Sequence, residues 1–453
     1  MVNSGSSANL LAIASMMSHT LENRLMPGDE VMVPAVCWST SLFPITQLGM
    51  TPVLVDVDLD TLNIDIEDMK RKITPKTRGI VGVHVLGNCC NMDEFMKVRC
   101  IVGGDWVRGA GRGAGGLVGL RYKLSPVSPH HPLLRSHASA PLFASTAPPP
   151  LRACSASHRL TRSALPTHTL ARSASHHLTR FARQVVNDNK LWCLEDTCES
   201  LGTRYKGKMV GTFGDVGSYS FYFSHHITTG EGGACVTDSL EMYDTLKCMR
   251  AHGWSRELSN QKELEAAHPD VDPRFLFVNA GFNLRPVEMA GVLGIRQLQR
   301  IEYMNNTRNL NRLAVIDCLT KHPRYTEQMT AIEATPEASV AWFGLTFLLK
   351  PEFAHLQKTY QMHLTARGCE NRPIISGNFA GQPALKAIGL DIQKDEFPKA
   401  EHLGTHGFFI GLHVTPLAPE TISDLVESMM DFDFVAQDDG ESKQGDAKRA
   451  KKA

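Results

Sequence analysis

The chain has 453 residues, of which 42% are hydrophobic, enough for two or three domains with a substantial core. Lysine plus arginine and aspartate plus glutamate both number 47, so the charge gives no reason to expect a nucleic-acid or membrane partner. The sequence predicts no membrane-spanning helix and no signal peptide, so we expect a cytoplasmic protein. Its eleven cysteines are scattered and form no C-x-x-C pair, so we expect reduced thiols.

The first hundred residues alternate between helical and extended patterns. An alanine-rich apolar run from Ser6 to Met17 predicts a helix. Short β-branched segments at Glu30–Val33, Pro52–Asp56 and Gly79–Val83 each lie between turn signals, as buried parallel strands do. The alternation predicts an α/β fold whose mixed, mostly parallel sheet carries helices on both faces.

A segment of different composition interrupts this pattern over residues 99–187. It is rich in Ser, Ala, Pro, His, Arg and Gly, its only acidic residue is Asp105, and residues 157–162 nearly repeat at 175–180. Such a composition lacks the apolar surface that offsets the entropy of ordering, so we expect a disordered insertion. Two interpretations remain open: a basic surface insertion, or a translated intron or gene-model error, of which the second is favoured.

The α/β pattern resumes at Leu191–Asp196 and passes into a long helical region over residues 285–313. A strand at Trp342–Leu349 and a helix at Pro419–Met430 then indicate a smaller α+β unit. The predicted organisation is a large domain formed by 1–98 and 188–315, a small C-terminal domain at 316–437, and a charged, disordered tail at 438–453.

Asp196 is the first candidate for chemistry. A carboxylate at the end of a parallel strand points into the crevice where such sheets bind ligands. There it can keep a pyridine nitrogen protonated and make the ring an electron sink. Helix N-capping is an equally good explanation of this residue taken alone.

Two segments of small and hydroxylated residues are suited to a phosphate. One is Gly5-Ser6 at the start of the first predicted helix, and the other is the serine-rich stretch 217–226, followed by the glycine-rich run 227–233. Small residues let the backbone approach a ligand, and free amides at a helix N-terminus attract anions. Helix capping by the serine stays open as an alternative.

In their order and spacing, these segments resemble the sugar aminotransferase family, which has the aspartate aminotransferase fold. The resemblance covers residues 2–98 and about 188–435. It implies a pyridoxal or pyridoxamine phosphate cofactor and a homodimer. The residues that match the family's cofactor-binding positions are Gly5, Ser6 and Ser220 at the phosphate, Trp38 stacked on the ring, Asp196 and Glu199 beside it, and Asn283 reaching the phosphate across the dimer.

At the position of the family's catalytic lysine this chain has His225, before the run Thr229-Gly230-Glu231-Gly232-Gly233. Imidazole cannot bond covalently to the cofactor aldehyde as an amine does. This form resembles the 3-dehydratases of nucleotide-linked 4-keto-6-deoxyhexoses, of the kind that supply deoxysugars to lipopolysaccharide O-antigens. Because no C-x-C pair occurs, the chain is similar to the branch without an iron–sulfur cluster, which acts on GDP-4-keto-6-deoxymannose, and no metal is expected.

The resemblance implies that His225 takes a proton from the cofactor and gives one to the departing C3 hydroxyl. For the neighbouring His226 we expect a structural role. The expected partners are a GDP- or CDP-linked keto sugar and L-glutamate as amino donor. Candidate substrate-binding residues are His252, Arg285 and Arg372.

Two alternatives stay open. A sugar aminotransferase would use another amine, such as Lys208. An inactive product of a truncated and interrupted gene model is the other, since the family has further residues before the phosphate segment.

Overall fold

A computed structural model of the chain describes residues 1–101 and 191–435. The predicted insertion beyond residue 101 and the predicted tail from 438 lie outside these residues. Within the described ranges, no helix has both the length and the apolar content needed to cross a bilayer.

The strands, in chain order, are β1 (Glu30–Pro34), β2 (Thr51–Val55), β3 (Thr77–Val83), β4 (Trp192–Asp196), β5 (Arg204–Tyr205), β6 (Lys208–Met209), β7 (Val216–Ser220), β8 (Gly233–Val236), β9 (Met329–Ala331), β10 (Ala338–Ser339), β11 (Gly344–Leu349), β12 (Asn371–Arg372) and β13 (Gly407–Gly411). The α-helices are α1 (Gly5–Met16), α2 (Ser39–Gln47), α3 (Ile66–Lys72), α4 (Met92–Ile101), α5 (Leu240–Arg250), α6 (Gln261–Ala267), α7 (Glu288–Leu298), α8 (Ile301–Thr320), α9 (Gln357–Ala366), α10 (Pro383–Ala387), α11 (Pro398–His406) and α12 (Pro419–Met430). Short 3-10 helices occupy Val85–Gly87, Pro273–Phe275, Pro351–Leu356, Phe379–Gly381 and Lys394–Glu396.

The central sheet has the strand order β2-β1-β3-β4-β7-β8 and is parallel except for β8, which runs antiparallel to β7. Alternate residues of β1 enter different cores: Val31 and Val33 pack with α1 and α2, whereas Met32 packs with α3 and α4. Helices therefore cover both faces, and the predicted α/β architecture is confirmed.

The strands on either side of the predicted insertion are direct neighbours, since β3 pairs with β4 from Gly79–Trp192 to Val83–Asp196. Helix α4 continues to Ile101 and buries Arg99, the residue at which the insertion is predicted to start; that boundary stays a prediction. Arg99 and Leu191 hold this junction together: the Leu191 N–H donates to the Arg99 carbonyl (3.1 Å), and Arg99 Nε donates to the Leu191 carbonyl (2.9 Å).

A second, antiparallel sheet of order β12-β13-β11-β9 lies in the C-terminal part of the chain. Its strand residues Phe347 and Phe408 pack with Tyr360 of α9 and Met429 of α12 in a separate core. The predicted final helix is observed at Pro419–Met430, and the predicted strand begins two residues later than expected, at Gly344. The helical region after 285 is divided into α7 and α8, and the predicted domain boundaries stay a prediction.

Candidate active site

Three of the predicted residues lie at one edge of the central sheet, where its parallel strands end. Asp196 is the last residue of β4 and Ser220 the last of β7, and Asp196 is in register with Ser218. Trp38 follows β1 and is the N-cap of α2. Because parallel strands carry their carboxyl ends to the same edge, these residues lie at one edge of the sheet although they are far apart in sequence.

The N-terminus of α1 faces the end of β7. Gly5 is the first residue of the helix, and a Cβ added to it would lie 2.4 Å from Cβ of Ser220 and 3.1 Å from Sγ of Cys198. Ser4 caps the helix by accepting from the Ser7 N–H (3.0 Å), so capping is done by Ser4 and leaves the exposed Ser6 hydroxyl free of that role. The geometry brings a helix N-terminus and the Ser220 hydroxyl together, a suitable arrangement for a phosphate.

Asn283 is tied to the same end of α1 through the backbone. The Asn3 N–H donates to the carbonyl of Leu284 (3.0 Å), and the exposed Asn283 side chain accepts from Arg285 Nε (3.1 Å). Asn283 is therefore close to the α1 terminus in space but directed to the protein surface.

Asp196 is buried and accepts three hydrogen bonds. Asn9 Nδ2 and Ser41 Oγ each donate to its Oδ2 at 2.7 Å, and the Cys198 N–H donates to its Oδ1 at 3.2 Å. No helix begins directly after Asp196 within the described residues, so the N-cap interpretation is wrong. The carboxylate is instead fixed by donors from α1, from α2 and from its own turn.

His225 lies in the loop after β7, beside the turn that follows Asp196. Its Nδ1 is 2.6 Å from the carbonyl oxygen of Cys198. A carbonyl only accepts, so Nδ1 carries the proton and the neutral ring has a bare Nε2. Burial lowers the pKa of His225 below its usual 6.5, against the opposing effects of the Cys198 carbonyl and the Asp196 charge. The ring is half-buried, with Phe343 packed edge-on 5.5 Å away.

The next residue, His226, has a structural environment. Its Nε2 donates to the Ala341 carbonyl at 2.8 Å, and burial lowers its pKa to about 3. The buried guanidinium of Arg308 donates to the carbonyl of His225 at 3.4 Å. These contacts fix the peptide between the two histidines and agree with the predicted structural role of His226.

Glu199 is a half-buried carboxyl group three residues after Asp196. Its Oε2 accepts from the Leu86 N–H at 3.0 Å, and Leu86 adopts the left-handed conformation with φ of 50°. Burial raises the pKa of Glu199 to about 7, and the charge of Asp196 adds to that effect. The site thus contains two carboxyl groups with different environments, one fixed by three donors and one that titrates near neutrality.

Behind Asp196, the fully buried Glu195 organises the edge of the sheet. Its carboxylate accepts from the N–H groups of Gly211 (2.8 Å), Phe213 (2.6 Å) and Gly214 (2.5 Å). His84 Nδ1 accepts from the Cys90 N–H, so its Nε2, 3.2 Å from Glu195, is the donor to the carboxylate. These bonds set the position of the strand end that carries Asp196.

The chain matches the sequence pattern of the DegT/DnrJ/EryC1/StrS aminotransferase family over residues 1–100 and 155–430. The chain belongs to this family. It is 33% identical to a GDP-4-keto-6-deoxy-D-mannose 3-dehydratase of Escherichia coli O55:H7, over 93% of this chain and 84% of that protein. It is 26% identical to a dTDP-4-dehydro-2,6-dideoxy-D-glucose 3-dehydratase of Saccharopolyspora spinosa, over 95% and 76% of the two chains.

A solved structure has the same fold. It is the E. coli GDP-4-keto-6-deoxy-D-mannose-3-dehydratase with bound hydrated PLP, with a TM-score of 0.68 and 31% identity over 94% of this chain and 86% of that one. The resemblance inferred from the sequence motifs is therefore confirmed at the level of the family and its fold.

The three candidate substrate-binding residues of this family member are exposed and do not join the cluster around Asp196. Arg372 pairs with Glu370 (2.6 Å), Arg285 contacts Asn283, and none of the three makes a hydrogen bond or ion pair with Asp196 or His225 within the described residues. His252 has a left-handed backbone with φ of 67°, a conformation that is uncommon for residues other than glycine but that histidine adopts more readily than most. Their predicted roles stay predictions.

Lys208, the amine weighed for an aminotransferase, is an exposed residue of β6 whose ammonium group lies over the Phe213 ring at 4.5 Å. Among the residues that sequence reasoning missed, Asn9 and Ser41 contact Asp196 directly. The sequence gives a weak indication that Asn9 has a buried polar partner, since it is an amide within the apolar run of α1. It gives no such indication for Ser41.

Proposed function

We propose that this protein is a pyridoxal or pyridoxamine phosphate-dependent 3-dehydratase of a nucleotide-linked 4-keto-6-deoxyhexose, with His225 as its acid and base. The product is a 3,6-dideoxy-4-keto sugar. The proposal is supported by the imidazole of His225, which is bound through Nδ1 to the Cys198 carbonyl and belongs to the residue at the sequence position of the family's lysine. The relatives, which include 3-dehydratases of GDP- and dTDP-linked sugars, support the reaction class.

The residues of the crevice fit the cofactor. The close approach of Ser220 to Gly5 leaves no room for a Cβ at the N-terminus of α1, so the glycine lets a serine hydroxyl and free backbone amides converge where a phosphate would bind. Asp196 supplies a fixed carboxylate for a ring nitrogen, and the indole of Trp38, 58% exposed at the start of α2, supplies an aromatic face. When bound, the group supplies an electron sink for bonds broken at the adjoining carbon.

His225 performs the proton transfers. Because Nδ1 is held by the Cys198 carbonyl, only Nε2 can accept or return a proton. Burial keeps the ring neutral near pH 7, which is the form a base needs. After it has taken a proton, the imidazolium is the acid that protonates the departing C3 hydroxyl, so one residue serves both steps.

The substrate class follows from the relatives rather than from any base-contacting residue of this chain. A solved structure of a GDP-4-keto-6-deoxymannose-3-dehydratase, 30% identical to this chain, contains a trapped PLP-glutamate geminal diamine, which supports L-glutamate as the amino donor here. Two relatives that are GDP-sugar 3-dehydratases, at 33% and 32% identity, favour GDP as the nucleotide.

A second copy of the chain completes the protein as a homodimer. Helix α7 buries Ala290 and Gly294, whereas its large apolar side chains are more than half exposed: Met289, Val292, Leu293, Ile295 and Leu298. An apolar helix face of this size needs a partner surface. Asn283, exposed five residues before α7, then reaches the partner's phosphate segment.

The test is product formation. The full chain is incubated with GDP-4-keto-6-deoxymannose, pyridoxal phosphate and L-glutamate, and the sugar is analysed by mass spectrometry for loss of the C3 hydroxyl. The parent should form the 3-deoxy product, and His225→Asn, which keeps a hydrogen-bonding side chain but cannot transfer protons, should reduce the rate by about 100-fold or more. His402→Asn, at a histidine of α11, is the matched control. A His225→Asn variant with the parent's rate would refute the assignment.

A further inference from the structure

A chain of buried polar side chains crosses from β7 to α2 through Asp196. Ser218 Oγ donates to Asn9 Oδ1 at 2.6 Å, Asn9 Nδ2 donates to Asp196 Oδ2 at 2.7 Å, and Ser41 Oγ donates to the same oxygen at 2.7 Å. All four side chains are at most 5% exposed. Asn9 and Asp196 are 187 positions apart in sequence, and Ser41 and Asp196 are 155 apart.

The orientation of the Asn9 amide is determined by its two neighbours. A carboxylate only accepts, so the amide group that faces Asp196 must be the NH2 group. The amide oxygen then faces Ser218, whose hydroxyl donates to it. Reversing the amide would place its oxygen 2.7 Å from a carboxylate oxygen, which is repulsive.

These donors use the two oxygens of Asp196 differently. Oδ2 accepts the two bonds of 2.7 Å from Asn9 and Ser41, whereas Oδ1 accepts the longer bond of 3.2 Å from the Cys198 N–H. Oδ2 has no further acceptor position in the plane of the carboxylate, so Oδ1 is the oxygen available to a new donor.

Neither Asn9 nor Ser41 is needed by the local fold. Asn9 lies in the middle of α1, where it stabilises the helix less than alanine or leucine would, and its neighbours in the helix are apolar. Ser41 lies in the first turn of α2, and its hydroxyl points at Asp196, so it caps nothing. Burying an amide and a hydroxyl is costly unless each has a partner, and here the shared partner is one carboxylate oxygen.

We propose that Asn9 and Ser41 are positioning residues that hold Asp196 with Oδ1 directed at the ring nitrogen of the cofactor, and that Ser218 fixes the Asn9 amide for this task. This inference rests on the proposed function. It adds buried residues from α1, α2 and β7 to the site.

The test compares variants in the full chain, titrated with pyridoxamine 5′-phosphate. Asn9→Leu and Ser41→Ala each remove one donor, and Ser41→Thr keeps the hydroxyl. Ser15→Ala is the control, since Ser15 is a buried residue of α1 whose hydroxyl has no partner among the described residues. The dissociation constant comes from fluorescence, and the protonation of the ring from the absorbance of the bound cofactor against pH.

Asn9→Leu and Ser41→Ala should each weaken binding by about tenfold, because each removes a hydrogen bond to a charged group. They should also move the loss of the ring proton to lower pH, since a displaced carboxylate holds that proton less strongly. Ser41→Thr and Ser15→Ala should keep the parent's values. If Asn9 and Ser41 had a purely structural role, their variants would change the melting temperature but not the pH at which the ring of the bound cofactor loses its proton.

The inference is overturned if folded Ser41→Ala shows the parent's dissociation constant and titration, even where Asn9→Leu fails to fold. A parent that binds no pyridoxamine phosphate would refute the proposed function and this inference with it. A parent that binds it while both variants bind equally would refute the inference alone.

Discussion

Removing residues 102–190 should leave the protein folded and make it more stable. The two ends of this 89-residue stretch are joined by the reciprocal hydrogen bonds between Arg99 and Leu191, and β3 already pairs with β4. A linker of about four residues, a usual length between a helix and the next strand, therefore replaces the stretch without moving either end.

The size of the effect follows from loop closure. The composition of residues 102–190 predicts a disordered stretch. The cost of closing such a loop grows as (3/2)RT ln n, so on this prediction shortening 89 residues to about 4 lowers it by about 2.7 kcal/mol. Dividing this free energy by the unfolding entropy expected for the described residues gives a rise in melting temperature of roughly 3 to 4 °C.

The assay is thermal unfolding followed by circular dichroism, for the parent and for the shortened chain, each with and without Arg99→Met. The shortened chain should melt at a higher temperature and bind pyridoxal phosphate with the parent's affinity, and Arg99→Met should destabilise both backgrounds. A shortened chain that is insoluble, or that melts several degrees below the parent, would show that residues 102–190 contribute to the core and refute the reasoning.

Three further predictions follow from the site and the surface. Burial holds the pKa of His225 below 6.5, so the acidic limb of the kcat/KM profile should lie below pH 6.5. The variant Arg308→Met removes a positive charge that lowers this pKa, so it should move the acidic limb to higher pH. An acidic limb at the parent's pH would contradict this role of Arg308. His226 takes up a proton near pH 6.5 in the unfolded chain but only near pH 3 in the folded one. The free energy of unfolding should therefore fall by up to about 1.4 kcal/mol per pH unit as the pH drops between these values. In urea titrations at several pH values, His226→Gln should make the free energy of unfolding depend less on pH. Replacing Val292 and Leu293 of α7 with Asp should give a monomer in analytical ultracentrifugation, whereas Met362→Asp on the exposed face of α9 should not; an intact dimer would exclude α7 from the interface.

Much of this fold could be predicted because its local patterns are strong. The predicted strands at Glu30–Val33 and Gly79–Val83 are β-branched and flanked by turns, so the position and parallel burial of β1 and β3 follow from sequence. The convergence of Asp196 and Ser220 follows from the rule that parallel strands present their carboxyl ends at one edge.

Other features depend on contacts that no local pattern reports. Ser41 gives no sign in sequence that it binds a carboxylate 155 positions away. The break between α7 and α8 lies at Gln299–Arg300 without a Gly or Pro to mark it, so the two helices look like one periodic region. In the sequence, Arg99 looks like one more basic residue of the arginine-rich segment that follows it. Only the tertiary structure shows that it is buried and bonded to Leu191.

The proposal that His225 replaces the amine is tested most directly by sodium borohydride reduction with pyridoxal phosphate, followed by intact mass and peptide mapping. The parent should retain its unmodified mass, because imidazole forms no reducible bond with the cofactor, whereas His225→Lys should gain one reduced cofactor on residue 225. A parent that gains a reduced cofactor on a lysine such as Lys208 would contradict the dehydratase assignment and favour an aminotransferase.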